Sequence, residues 1–334
     1  MLSAIALAVS CVLGVSTPPE AEARKPSPVA AHPPDEISVG TFNIRYANDG
    51  DGTNAWRHRR AMVAEILREG DFWGLQEVLP SQLAEVLADC PRFTAISRTR
   101  EVDPAKGEAC PILYDAALWE ADAKEQGTFW LSTTPHEPGS KSWDSSIPRI
   151  ATFARFIERA PAAGAAPRAL YIFNVHLDHR GAESRLEAAR LVADRIAART
   201  HRDPVVLVGD FNCGPASAPI AALLAHAGAG LRDAWRDANR DAPEQGTFNG
   251  WNERCGDVRI DFVLVNDAFA VRSCAIDLRK PGGRWPSDHT PVVARIGWRT
   301  AGRTPRLRRR RKGATAAAGA EKRNRREAWP RACS

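Results

Sequence analysis

Short, wholly apolar runs that end in a single polar residue recur through the middle of this chain. The clearest is Val205-Val-Leu-Val-Gly, followed at once by Asp210. A strand with no polar face must be covered on both sides, so such a run belongs in a sheet with further layers above and below it. Residues 37–44 (ISVGTFNI), 72–78 (FWGLQEV), 150–157 and 169–176 also read as strands rich in apolar residues. Between the runs lie amphipathic segments: Met62, Val63, Ile66 and Leu67 recur at helical spacing over Arg57–Glu69, and Leu186, Ala189, Leu191, Val192 and Ile196 do so over 182–199. Ser81 is the expected N-cap of another helix, ending near Ala88. Further strands are predicted near 111–114, 128–131, 258–266, 271–276 and 291–297. With no linker between 37 and 298 and no internal repeat, this order predicts one large α/β domain.

Both ends read differently. Ala4 to Val15 is an apolar run too short to span a membrane, and Ala21-Glu22-Ala23 offers a small-x-small cleavage point before Arg24. Residues 1–23 are therefore read as a signal peptide, although Met1-Leu2-Ser3 lacks the usual basic start. That reading places the protein outside the cytoplasm, secreted or in the periplasm or cell envelope. Residues 24–36 are Pro-rich and read as an extended linker. Residues 299–334 hold 13 Lys and Arg against 2 Asp and Glu; with almost no apolar residues, this tail is expected to be disordered. The other 298 residues carry 33 basic and 38 acidic groups, so the net charge of +6 hides a mildly acidic body. The basic tail suits polyanions, nucleic acid or an anionic membrane surface. Apolar residues at 44% and charged residues at 26% exclude collagen-like, fully disordered and multi-spanning membrane chains. Beyond the signal peptide six cysteines remain, Cys90, Cys110, Cys213, Cys255, Cys274 and Cys333, with no CxxC pair. A thiolate zinc site is thereby disfavoured, while one or two disulfides are compatible with export.

The polar residues closing these runs form a chemical set. Asn43 ends the first strand and Glu77 the second, His176 ends Tyr-Ile-Phe-Asn-Val-His, Asp210 and Asn212 follow the apolar 205–209 run, Asp261 sits in Arg-Ile-Asp-Phe-Val, and Asp288-His289 precedes Thr-Pro-Val-Val. Sheet rims are where open α/β sheets place their sites. Oxygen ligands without cysteine suit Mg²⁺, with Mn²⁺ as a substitute, over zinc. Two separated imidazoles suit proton transfer or stabilisation of an anionic transition state. With no nucleophilic Ser or Cys signature, the set points to attack by activated water on a phosphate ester.

Thr41-Phe-Asn-Ile-Arg, Leu75-Gln-Glu-Val, Asn174-Val-His-Leu, Gly209-Asp-Phe-Asn, Arg259-Ile-Asp-Phe and Ser287-Asp-His-Thr-Pro-Val together resemble the motif series of the endonuclease/exonuclease/phosphatase superfamily, over about residues 37–297. The superfamily includes pancreatic-type deoxyribonucleases, AP endonucleases, inositol polyphosphate 5-phosphatases, neutral sphingomyelinases and deadenylases. The resemblance implies a four-layer α/β/β/α sandwich, two packed mixed β-sheets flanked by helices. It implies Glu77 as main Mg²⁺ ligand, with Asn43 touching metal or phosphate and Asp288 near the metal. Asp210 would position or deprotonate the water, and Asn212 would hold that water or a phosphoryl oxygen. His289, oriented by Asp261, and His176 would face the phosphate. Arg149 looks like the phosphate-binding arginine of the nucleases, and Glu108 resembles an acid that pairs with a catalytic histidine. Asp115 stands where related sequences often carry arginine.

A narrower resemblance, to an uncharacterised bacterial branch, covers Asn54-Ala-Trp-Arg-His-Arg-Arg, Gly127-Thr-Phe-Trp-Leu-Ser, Pro138-Gly-Ser-Lys-Ser-Trp-Asp and His176-Leu-Asp-His. It offers Lys141, Trp143, Asp144, Asp178 and His179 as substrate-facing loop residues, with Trp130 expected to pack. The sequence favours a secreted, monomeric nuclease-type phosphodiesterase. A phosphatase or phosphodiesterase for a phosphoinositide, nucleotide or phospholipid headgroup is the alternative, and a non-catalytic binding protein is disfavoured by the complete residue set.

Overall fold

Two six-stranded sheets lie face to face in the computed structural model, which describes residues 35–161 and 164–299. The first sheet is ordered β11 (Phe269–Ile276), β12 (Val292–Trp298), β1 (Glu36–Asn43), β2 (Phe72–Gln76), β4 (Ile112–Asp115) and β3 (Phe93–Ile96). The second runs β5 (Trp119–Trp130), β6 (Ile150–Glu158), β7 (Ala169–His176), β8 (Val205–Asp210), β10 (Asp261–Asn266) and β9 (Leu231–Asp233). Each sheet has one parallel pair at its centre, β1 with β2 and β7 with β8, and antiparallel partners elsewhere. The proposed signal peptide, the linker up to residue 34 and the basic tail from residue 300 lie outside the described residues. Contrary to the expected boundaries, Glu36 already belongs to β1, and Arg299 is bonded to the body through the carbonyls of Ala268 and Phe269. Among the described residues no helix is long and apolar enough to cross a membrane.

Burial explains the layering. Between the sheets pack Val39, Phe72, Phe156, Ile172, Val206, Val263 and Ala294. The outer face of the second sheet is covered by α3 (Ala182–Ala197) through Ala188, Ala189, Val192, Ala193 and Ile196, and by α4 (Ala218–Ala225) through Ile220 and Leu223. On the first sheet, α1 (Arg60–Leu67) and α2 (Pro80–Asp89) bury Val63, Ala64, Ile66, Leu67 and Val86 against Phe42, Trp73 and Leu75. The result is the four-layer α/β/β/α sandwich that the motif series implies.

Gly74 allows the two sheets to approach closely, since a Cβ there would stand 2.4 Å from Val208 Cγ2. Beside it a polar seam crosses the interface. Gln76 Nε2 donates to Asn174 Oδ1 at 2.7 Å and Thr41 Oγ1 at 3.0 Å, while Asn174 Nδ2 donates to Leu75 O at 2.8 Å. Buried amides bonded to one another across a sheet interface fix relative register in a way that apolar packing alone does not, although Gln76 Oε1 itself has no hydrogen-bond partner here.

Several elements depart from the sequence reading. Helix α1 begins three residues later than expected, because Trp56–His58 forms a separate 3₁₀ turn. Ser81 does not cap α2; Pro80 occupies the first turn, where its missing N–H costs nothing, and Gln82 Oε1 accepts from Leu79 N at 3.2 Å. Strands β3 and β9, helix α4 and α5 (Ala234–Ala238) were not foreseen. Strand β5 begins at Trp119, well before the expected 128, because a polar edge strand carries no apolar run. The five cysteines among the described residues are free thiols, so the disulfides that export would allow do not form among them.

Candidate active site

The parallel pairs bring four strand ends to one rim. Asn43 ends β1 and Glu77 follows β2; His176 ends β7 directly opposite Asp210, which ends β8 and is paired across β10 with Asp261. His289 arrives on the turn entering β12, bridged to Phe248. Residues 246 positions apart in sequence are thus gathered by topology.

Asp210 is the hub. Its Oδ2 accepts from Asn43 Nδ2 at 3.0 Å and lies 3.4 Å from His176 Nε2 and 3.7 Å from His289 Nε2. Its Oδ1 accepts from Asn212 N at 2.9 Å. Burial, reinforced by the nearby Asp261, pushes the Asp210 carboxyl up to about 7, within the range where a general base works best. The preceding Gly209 has φ +156, and a Cβ there would stand 2.2 Å from Val175 O, so only glycine lets this strand end enter the rim.

The two histidines have opposite electrostatics. His289 Nδ1 donates to Asp261 Oδ2 at 3.0 Å. Burial opposes its charged form, but Asp261 and Asp210 outweigh burial and hold its pKa well above the ordinary value. His176 is pulled well below by burial, then by Arg149 and Arg100. Its contact with Asp210 is therefore that of a neutral imidazole and not an ion pair. One ring is a fixed cation and the other a neutral donor or acceptor.

A second cluster surrounds Glu77. Asn43 Nδ2 also donates to Glu77 Oε1 at 3.1 Å, and Tyr46 N donates to Glu77 Oε2 at 3.3 Å. The Asn43 Oδ1 atom accepts from Arg45 N at 3.0 Å. Glu77 Oε2 and Asp288 Oδ2 both face the Arg45 guanidinium, at 3.9 and 4.0 Å. Two carboxylate oxygens already sharing one cationic group fit a hard divalent cation, as does the donor chemistry. The buried Asp210, Asp261 and His289 bring ligand atoms within 4.8 Å of one another and are also able to hold a metal, and Asp261 Oδ1 is buried without a hydrogen-bond partner. With His289 charged and unable to ligate, Glu77 and Asp288 would hold the cation.

Backbone strain is concentrated here. Arg45, Glu77 and Asn212 have φ of 56°, 60° and 50°, and among the described residues Trp143 and Trp251 are the other non-glycine residues with positive φ. Trp251 N donates to Asn249 Oδ1, and Asn249 N donates to Asp288 O, so Trp251 also stands next to the rim. Such conformations persist where the surrounding structure fixes them.

Arg149, only 5% exposed, opens β6 beside His176 in a narrow pocket also lined by Glu77, Arg100 and Glu108. Its Nη2 contacts His179 Nδ1 at 3.0 Å, its Nε is 3.7 Å from Asp178, and that Nε makes no hydrogen bond. Glu108 lines the same pocket, but its carboxylate is taken by Arg100 at 2.7 and 2.8 Å, and the partner of His176 is Asp210 instead. Asn212 spends its side-chain amide on Leu177 O at 3.1 Å. Asp115 pairs with Arg92, 3.8 Å away, outside this cluster.

Among the loop candidates, Asp144 caps α3 by accepting from Ser184 N at 2.7 Å. Asp178 accepts from Ser146 Oγ, Ser146 N, Gly181 N and Arg180 N, and so ties the two loops together. Lys141 is exposed and Trp143 half-buried, whereas Trp130 is buried and donates to Arg100 O. Sequence reasoning missed Arg59, which is 0% exposed. Its guanidinium donates to the carbonyls of Asn54, Ile44, Arg45, Tyr46 and Pro286. It pins the turn after β1 to the turn before Asp288. The only signal was its place in Trp56-Arg-His-Arg, where an arginine in an amphipathic helix start reads as solvent-facing.

A family model for the endonuclease/exonuclease/phosphatase family matches residues 40–289. An endonuclease/exonuclease/phosphatase from Bacteroides vulgatus is 31% identical with a TM-score of 0.71, over 79% of this chain and 99% of that one. A mannosyl-6-phosphatase from Bacteroides thetaiotaomicron is 29% identical with a TM-score of 0.69, over 78% of this chain and 100% of that one. TDP2 from D. rerio, solved with a single-strand DNA product, is 17% identical with a TM-score of 0.60, over 78% of this chain and 99% of that one, a likeness of fold alone. No curated protein matches.

Proposed function

The chain belongs to the endonuclease/exonuclease/phosphatase family and is a metal-dependent phosphoesterase, and from that premise we propose that it is a phosphatase releasing phosphate from small hydroxylated monoesters such as sugar phosphates. The observation that carries the reading is the convergence of Asn43, His176 and His289 on one carboxylate oxygen of Asp210. The monoester preference is supported by relatives at 29–31% identity that match this chain over nearly their whole length, one of them named a mannosyl-6-phosphatase.

In this reading Asp210 takes the proton of the attacking water as the water oxygen bonds to phosphorus and the ester P–O bond breaks, the departing alkoxide taking up a proton from solvent. The Asp210 carboxyl is poised near neutrality for this. His289, held as imidazolium by Asp261, faces the negative charge that grows on the phosphoryl oxygens. His176, neutral, donates a hydrogen bond to the same group, and Arg149, beside it in the same pocket, gives a further charged donor. A divalent cation, when bound, supplies Lewis-acid neutralisation of the phosphate. Glu77 and Asp288 would hold it, with Asn43 fixing Glu77.

The test uses protein from Arg24 onward with Mg²⁺, on sugar phosphates, nucleotides and inositol phosphates in parallel with plasmid and single-stranded DNA. Orthophosphate release by wild type and not by Asp210→Asn is expected. Nicking or shortening of nucleic acid with inert monoesters would overturn the reading in favour of the secreted nuclease expected from sequence. We place the reaction outside the cytoplasm, on the reading of residues 1–23 as a leader. An exported chain beginning at Arg24 is the expected result, and an intact N-terminus would remove that placement.

A further inference from the structure

We propose that Arg45 is a specificity-determining residue that binds the second negative charge of a phosphate monoester and so selects monoesters over diesters. The inference rests on the phosphatase reading and deepens it. Arg45 follows Asn43 by two residues and leaves the rim of β1 in a left-handed conformation, φ 56°. Asp51 holds one edge of its guanidinium: Nε donates to Asp51 Oδ2 and Nη2 to Asp51 Oδ1, both at 3.1 Å. The Tyr46 ring lies 4.4 Å from the guanidinium carbon and limits its swing. The remaining edge, Nη1, makes no hydrogen bond among the described residues and points towards Glu77, 3.9 Å away. Glu77 in turn shares the Asn43 amide with Asp210. An arginine clamped by Asp51 on one edge, with only longer ion-pair contacts to Glu77 and Asp288 besides, stands beside the reacting centre as a preorganised half of a bidentate phosphate contact.

Charge makes the choice between ester classes. A monoester carries close to two negative charges at neutral pH because its second pKa is about 6, and a diester carries one. Arg149 and the charged His289 stand on the β6–β7 and β12 sides of the site. Arg45 adds a cation on the β1 side. With Glu77 and Asp288 engaged by a divalent cation, the Arg45 charge is left for the substrate.

The measurement compares p-nitrophenyl phosphate with bis(p-nitrophenyl) phosphate in saturating Mg²⁺, together with calorimetric binding of orthophosphate. Arg45→Gln is expected to lower kcat/KM for the monoester about 50-fold and for the diester less than about 3-fold, and to weaken orthophosphate binding about 10-fold. Arg45→Lys recovers part of each loss. Asp51→Asn, which loosens the clamp without removing the cation, shifts selectivity the same way by a smaller factor and serves if Arg45→Gln does not fold. Equal losses on both esters, or unchanged orthophosphate binding, would show Arg45 to be only a counter-ion for the acidic cluster. A wild type that turns over no monoester would instead remove the phosphatase reading and this selectivity together.

Discussion

Asp210 concentrates the chemistry of this site in one side chain. Buried beside Asp261 and raised to about 7, it can accept a proton from water yet remain partly ionised at neutral pH. Asp210→Asn is expected to lower kcat about 1,000-fold, the scale of a lost general base, while thermal melting in EDTA shows no loss of stability. His176 gives a pH dependence of stability. Its folded pKa is depressed, so its contribution is fully present above the ordinary value near 6.5 and is lost as pH falls towards the folded value. Urea unfolding between pH 7 and pH 5 should show wild type losing up to about 2 kcal/mol from this source, a slope that His176→Asn removes. Both residues were legible in sequence because a polar residue closing a buried strand has few structural reasons to exist. The charge state of each was not, because it depends on Arg149, Arg100 and Asp261 arriving from other segments of the chain.

At the level of elements, two turns make the rim and Arg59 joins them. Its five carbonyl acceptors span residues 44 to 54 and Pro286, and burial pulls its pKa down to about 10. Arg59→Ala leaves those carbonyls buried and unpaired, which should cost about 3 kcal/mol in urea unfolding. Activity should fall further than stability alone explains, since Asn43 and Asp288 lose their common anchor. An Arg59→Ala protein with wild-type stability and kcat would remove this role. Long amphipathic helices such as α3 and apolar strands such as β8 were readable from periodicity. Helix α4 was not, because APIAALLA is apolar all round and shows no helical stripe. Strands β3 and β9 are too short, at four and three residues, to display a period.

Across the whole molecule, the two sheets act as halves of one frame, each contributing a parallel pair whose carboxyl ends meet at the site. Glu77 and Asp288 come from the first sheet and its flanking turn, Asp210 and His176 from the second. A cation held on the first side therefore acts on a substrate also gripped from the second. EDTA should abolish turnover and Mg²⁺ or Mn²⁺ restore it; turnover that survives EDTA would remove the metal from the reaction. The polar seam of Gln76, Thr41 and Asn174 lies directly behind these ends and keeps the sheets in register. Gln76 and Asn174 both belong to motifs quoted for catalysis, yet their side chains are buried in this seam, away from substrate.

The sequence by itself determined the layered α/β class, the four-layer sandwich through its motif series, and the set of strand-end residues that form the site. These are local properties: apolar runs, helical stripes and polar terminations are written residue by residue. Only the tertiary structure decided which partner each polar group takes. Glu108 belongs to Arg100, Asp178 to the loop at Ser146, and Asp144 to the start of α3. It alone set Arg59 inside the molecule and turned the Nη1 edge of Arg45 towards Glu77, 3.9 Å away. A charged side chain is long enough to reach several neighbours, and which one it finds is fixed by the packing of segments far apart in the chain.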